Sequence, residues 1–207
     1  MKFLIPEWDD RVDPKYNFVT DVHSPEHEED PIKNDVYIWD IFGIDNVPID
    51  GVLVSRMTIM QNRTKYERII KEGVHNLLHL PQNFEIMGDC GAWGYIRDEA
   101  PPFKTSEVLD YYLKCGFTYG VSVDHLIVPE FKEQNEKRWQ ITLENAREMF
   151  EMWSSKDEYI DSLRIIGVAQ GWDVGSYVRS TRELLKIGYD YIGLGGLARS
   201  QTGTNEQ

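Results

Sequence analysis

Apolar residues in this chain fall into short, dense runs separated by longer stretches in which they recur every three to four positions. The runs are "VYIWDIF" (36–42), "IDGVLVS" (49–55), "NFEIMGD" (83–89), "FTYGVSVD" (117–124), "LRIIGVAQ" (163–170) and "YDYIGLGG" (189–196). Each is short, rich in β-branched or aromatic residues, and stopped by Gly, Asp or Ser, the pattern expected of buried strands. Between them the period changes to that of a helix. In "NRTKYERIIKEGVHNLL", Tyr66, Ile69, Ile70 and Leu77 share a face, with Gly73 as a stop. "TSEVLDYYLKCG" opens on a Thr/Ser cap and closes on Gly116, a C′ glycine. "KRWQITLENAREMFEMW" lines up Trp139, Leu143, Ala146, Phe150 and Trp153. "VGSYVRSTRELLKIG" lines up Tyr177, Thr181 and Leu184 or Leu185, and stops at Gly188. Strands alternating with helices predict a parallel sheet with right-handed crossovers.

The polar residues that end the last four runs are Asp89, Asp124, Gln170 and the pair Gly195 and Gly196. Their separations of 35, 46 and 25 residues are close to the ~30 of a βα unit. Each is therefore expected at the carboxyl end of a strand. In a (β/α)8 barrel of the TIM type those ends share one mouth; in an open doubly wound sheet they are spread along a crevice. A barrel takes ~250 residues, so the expectation is an α/β fold of barrel type that is incomplete, with about five or six βα units. Residues 1–48 read as an N-terminal cap, 49–199 as the partial barrel and 200–207 as a polar tail.

Composition narrows the chemistry. With 35 acidic and 22 basic residues the net charge is −13, which argues against broad, non-specific attraction to phosphate backbones while leaving room for a local basic surface. Two cysteines, Cys90 and Cys115, are read as too few for a disulfide framework or a four-ligand zinc site. The apolar run in "MKFLIPEWDD" is too short for a signal peptide, and no window approaches a membrane span. A reduced, cytoplasmic protein without membrane partners is the expectation.

Asp89 and Asp124 at successive strand ends can divide roles, one ionised and one acting as acid or base; either can also be a turn or loop cap. Gln170 offers an amide that reads a planar heterocycle by its donors and acceptors, or is a loop glutamine. "GLGGLA" (193–198) permits close backbone approach, but Ala198 stands where a dinucleotide fingerprint needs its third glycine. Trp93 is a stacking platform for a base or a core residue. His75 and His79 are four apart without the Glu of H-E-x-x-H. "TDVHSPEH" suggests a metal-dependent barrel hydrolase built on Asp21, His23 and Asp124, although further ligands do not fall at clear spacings. Arg63, Lys65, Arg68 and Lys71 form a helix face that reads as solvated, or as a phosphate contact.

Four segments together resemble a known family. "MGDCGAWGY", "YGVSVDH", "IIGVAQGWD" and "GYDYIGLGGLA" match, in order and spacing, segments of the tRNA-guanine transglycosylase superfamily, over about residues 50–199. "LIPEWDDRVDPKYNFVTDVHS", "IDGVLVSR" and "KYERIIKEGVHNLLHLP" resemble the branch that inserts 7-deazaguanines into DNA, the deoxypurine-in-DNA protein A family. The resemblance implies a pentosyltransferase that exchanges guanine in a polynucleotide, DNA in preference to tRNA, for a 7-deazaguanine such as preQ0. The route it implies passes through a covalent glycosyl-enzyme. Asp89 would be the general acid/base. Asp124 would accept from the ring N–H and amino group, Gln170 and the Gly195 or Gly196 backbone would read the carbonyl edge, and Trp93 would stack. Cys90, Ala92 and Gly94 depart from the family segment. The family's nucleophilic aspartate and zinc cluster are expected outside this chain, so the resemblance implies no cofactor within it. A complementary chain or a homo-oligomer is the implied protein partner. The alternatives are a non-catalytic base-binding or regulatory half-barrel and the metal-dependent hydrolase.

Overall fold

The computed structural model describes residues 1–7 and 11–197; the tail expected at 200–207 lies outside the described residues. Six strands form one sheet in the order β1 (Leu4–Pro6), β2 (Gly51–Ser55), β3 (Glu85–Asp89), β4 (Tyr119–Val121), β5 (Arg164–Ala169) and β6 (Ile192–Leu194). Every neighbouring pair is parallel. A doubly wound sheet reverses its strand order at a switch point; here spatial order follows chain order throughout, as in a barrel. The chain is an α/β fold of curled, half-barrel form, consistent with a partial (β/α)8 barrel.

The crossover helices are α1 (Pro25–Glu29), α2 (Pro31–Asn34) and α3 (Ile38–Phe42) after β1, and α4 (Arg56–Gln61), α5 (Arg63–Glu72) and α6 (Val74–Leu77) after β2. Helix α7 (Thr105–Cys115) follows β3, α8 (Asn135–Ser154) and α9 (Asp157–Ser162) follow β4, and α10 (Val174–Ile187) precedes β6. Their inner faces and the sheet's outer face make one core from Val52, Val54, Ile59, Ile69, Leu77, Ile86, Tyr112, Ala146, Leu184 and Tyr189. On the opposite face of the sheet, Tyr119, Val121, Ile166 and Val168 form a smaller cluster. Gly88 and Gly120 lie against the Tyr112 ring, where an added Cβ would stand 2.3 and 2.5 Å from ring carbons. Glycine there lets α7 sit close on the sheet.

Several sequence expectations need correction. "VYIWDIF" is not a strand: Ile38–Phe42 is helical. The Asp40 carboxylate accepts the Tyr37 N–H at 2.8 Å, and the Trp39 indole donates to the Leu78 carbonyl at 2.7 Å. These contacts override the β propensity of the segment. The sheet's first strand is instead the three-residue run Leu4–Pro6, so the first fifty residues supply a strand as well as helices. The buried stripe of α8 is Arg138, Thr142, Ala146 and Met149, rotated from the aromatic stripe; Leu143, Phe150 and Trp153 pack at its margin. Arg138 tolerates burial because its guanidinium donates to the carbonyls of Leu126 and Ile96, both at 2.8 Å. On α10, Leu184 is the buried leucine and Leu185 the exposed one. Lys65 does not join a solvated face: it is buried and donates to Glu7 at 2.7 Å. Thr105 is the first residue of α7, and Lys104, not a Thr/Ser pair, occupies the cap position. Among the described residues, no helix is long and apolar enough to cross a membrane.

Candidate functional site

The strand ends expected from sequence do converge. Asp89 is the last residue of β3, Gln170 follows β5 directly and Gly195 follows β6 directly, while Asp124 lies three residues beyond β4. Parallel pairing puts all four on one edge of the sheet. The Gln170 amide donates from Nε2 to Asp124 Oδ2 at 2.6 Å, and its Oε1 accepts the Ile127 N–H at 3.5 Å. Gln170 and Asp124 are both buried. Beside them Gly195 donates its N–H to the Ala169 carbonyl, and the Tyr177 hydroxyl donates to the Gly195 carbonyl at 2.7 Å. A Cβ at Gly195 would stand 2.3 Å from Gln170 Nε2. Glycine is therefore what allows the β6 end to pass over the Gln170 amide.

Two further residues, Cys90 and Tyr95, join the cluster. Cys90, fully buried, donates its S–H to Asp124 Oδ1 at 3.2 Å. The buried Tyr95 hydroxyl donates to the Asp124 main-chain carbonyl at 2.9 Å and lies 2.9 Å from the Cys90 sulfur. Their only sequence signal was proximity to Asp89 at a strand end. The turn that brings them in depends on Gly91, at φ +82°, whose N–H donates to Asp89 Oδ2 at 2.8 Å. A side chain there would also meet Ser55 Oγ at 2.4 Å. So Asp89 caps this turn, and its carboxyl also feels the charge of a second acid, Asp124.

Burial raises the pKa of both acids. For Asp89, desolvation followed by the Asp124 charge lifts it to about 7, against smaller opposing help from the Gly91 and Cys90 N–H groups. Desolvation raises Asp124 too, but the Cys90 thiol and Gln170 amide stabilise its anion. The charge therefore settles on Asp124, and Asp89 keeps its proton to near neutrality. The two carboxyls sit in different environments: Asp124 receives hydrogen bonds from the Cys90 thiol and the Gln170 amide, and Asp89 receives backbone N–H groups beside the Asp124 charge. Burial and the Asp124 charge push the Cys90 thiol up as well, so it serves as a hydrogen-bond donor and not as a thiolate.

Trp93 lies in a short 3-10 turn, Ala92–Tyr95, just beyond Asp89, and is 38% exposed. The indole is therefore not a core residue. The trio Asp21, His23 and Asp124 does not assemble. Asp124 is tied to Gln170 and Cys90, whereas Asp21 accepts the Tyr16 hydroxyl in the segment after β1. His75 is buried, with Nε2 2.9 Å from the Phe84 carbonyl, and His79 pairs with Asp40 at 2.9 Å. A surface hollow of about 440 Å³ lined by Arg147, Phe150, Glu151, Glu183 and Lys186 lies on the outer helical layer, away from the strand ends.

No established family profile matches the chain. It is 31% identical, over 220 aligned positions, to a DNA-guanine transglycosylase of Salmonella montevideo. The alignment takes in 98% of this chain and 50% of that protein, so the chain spans about half the length of its curated relative. The likeness supports the transglycosylase family.

Proposed function

We propose that the chain belongs to the transglycosylase family and that its strand-end cluster is the pocket for a guanine or 7-deazaguanine base exchanged in DNA. The observation that carries this reading is the buried Gln170–Asp124 contact at 2.6 Å with a second, protonated acid beside it. A guanine edge presents a ring N–H and an amino group next to a carbonyl. An anionic carboxylate satisfies the first two and N–H donors the third. Asp124 has lone pairs left on both oxygens to accept from the base. The Gly195 N–H is spent on Ala169, so the second N–H of the Gln170 amide and the Gly196 N–H are the donors proposed for the carbonyl, and the exposed Trp93 indole supplies a face for stacking.

In this proposal Asp89 manages the proton of the departing and incoming bases. With a pKa near 7 it gives a proton to the leaving guanine as the glycosidic bond breaks, and takes one back from the incoming 7-deazaguanine, preQ0 or a close analogue. The target nucleotide must leave its stack to reach buried groups, and part of that cost is regained by stacking on Trp93. The sugar's anomeric carbon is held meanwhile as a covalent glycosyl-enzyme. No residue of this chain is assigned the attacking role; we place that nucleophile in the part of the relative outside the alignment. With −13 net charge, a polynucleotide has to be held by a local basic surface or by a complementary chain.

The test is calorimetric titration of guanine and preQ0 into the folded chain. Binding by the parent and its loss in Asp124→Ala is the expected outcome. No binding to a folded sample, or equal binding by the variant, refutes the pocket. Binding without exchange, even with DNA, tRNA and a complementary half supplied, would favour a non-catalytic base-binding protein.

A further inference from the structure

A second cluster of chemistry-bearing side chains lies outside this pocket, in the segment that follows β1. Asp13, His23 and His27 each offer a ligand atom within 4.8 Å of the other two, the one such group among the described residues. The chain holds them by contacts that do not involve the strand-end site. Ser24 is the hub: its N–H and hydroxyl donate to Asp13 at 2.6 and 2.9 Å, and its Oγ accepts the His27 N–H as the cap of α1. The His23 ring is stacked on the His27 ring at 3.7 Å and 10°, with the Tyr16 ring edge-on to it at 4.8 Å. His23 Nδ1 lies 3.4 Å from Asp13. His27 Nδ1 is held by the Asp35 carboxylate at 2.9 Å.

That last contact has a chemical meaning. A histidine whose Nδ1–H donates to a carboxylate is fixed in orientation with Nε2 as its free ligand atom, the arrangement that commonly backs metal-bound histidines. The surroundings favour a cation: residues 21–35 carry six acidic side chains and one basic one. Asp13 is nearly closed off from solvent, while His23 is half exposed and can move toward it. Donors about 2.0–2.2 Å from a zinc-sized ion stand roughly 3.3–3.6 Å apart. Parallel rings do not aim their lone pairs at one point, so binding takes a rotation of the exposed His23 ring out of the stack together with a closure of about 1 Å from the present spacing of up to 4.8 Å.

We propose that Asp13, His23 and His27 form a binding site for a divalent transition-metal ion of the zinc class, with Asp35 orienting His27. Two imidazoles and one carboxylate select such ions over magnesium or calcium, which take oxygen donors. Water fills the fourth position. The bound ion clamps the segment after β1 onto α1. The site is separate from the base pocket and does not depend on its assignment.

The test uses tag-free chain stripped with chelator and titrated with Zn²⁺ by calorimetry and with Co²⁺ by visible absorption. One equivalent is expected to bind, with ligand-field bands for cobalt. His23→Gln and His27→Gln should each weaken binding at least about tenfold, and Asp35→Asn by about tenfold. His79→Gln, which breaks a histidine–carboxylate pair outside the cluster, should leave affinity unchanged. On the parent chain, Zn²⁺ should protect His23 and His27 from diethylpyrocarbonate while His79 is still modified, a readout that needs no variant to fold. A parent that takes up neither ion, a His23→Gln/His27→Gln double variant that binds like the parent, or no difference in protection overturns the proposal.

Discussion

Replacing Asp89 by Asn removes the proton from the strand-end pair without changing its shape, and it should be visible in stability before any activity is measured. In the folded chain the Asp89 carboxyl holds its proton to about pH 7, first because it is desolvated and then because Asp124 is charged. In the unfolded chain it releases that proton near 3.8. Between these values the folded state binds one more proton than the unfolded state, so stability falls as pH rises through the window and levels off above about 7. The interval corresponds, at about 1.4 kcal/mol per pH unit, to about 4 kcal/mol at most. Partial solvent contact at Asp89 reduces the expected change to on the order of 2–3 kcal/mol. The assay is urea unfolding of parent and Asp89→Asn between about pH 4 and 8, with the slope of free energy against denaturant checked for constancy. The parent should lose stability toward neutrality while the variant changes much less, so the two curves cross or converge at the acid end. Parallel curves would show that Asp89 titrates normally and would remove the basis for calling it the proton carrier.

Other expectations follow from the same contacts. Gly195→Ala should push the Gln170 amide off Asp124, since its Cβ would stand 2.3 Å from Nε2; base affinity should fall by at least about tenfold and stability by about 1–3 kcal/mol, read by calorimetry and denaturation. Arg138→Met should cost about 2–4 kcal/mol by orphaning the Leu126 and Ile96 carbonyls, measured by urea unfolding. Trp93→Ala should weaken base binding by about 1–3 kcal/mol with little effect on stability, and the parent's tryptophan emission should change on base addition. An unchanged affinity would exclude Trp93 as the platform.

Much of this site was legible because strand ends announce themselves locally. Asp89, Gln170, Gly195 and Gly196 end dense apolar runs, and the β strands that carry them can be read from those runs alone. What was not legible depended on partners distant in sequence. Cys90 looked like a departure from a family segment; only its contact with Asp124, 34 residues on, makes it part of the site. "VYIWDIF" has every local mark of a strand and is a helix because Asp40, His79 and the Leu78 carbonyl hold it so. The aromatic stripe of α8 misplaced its buried face because local hydrophobicity gave no hint that Arg138 would find two carbonyls. Asp21 and His23 suggested a metal, but their sequence neighbourhood could not say that His23 gathers with Asp13 and His27 and not with Asp21 and Asp124.

By itself, then, the order of residues determined the alternation of strands and helices, the parallel sheet and the polar groups at its carboxyl edge. These follow from periodicity and from turn chemistry, which act over a few residues. Tertiary structure decided which acid is charged. Asp89 and Asp124 are chemically identical side chains and burial raises both; they differ because Gln170 and Cys90, brought from other points of the chain, donate hydrogen bonds to Asp124, and the charge favoured there holds the proton on Asp89.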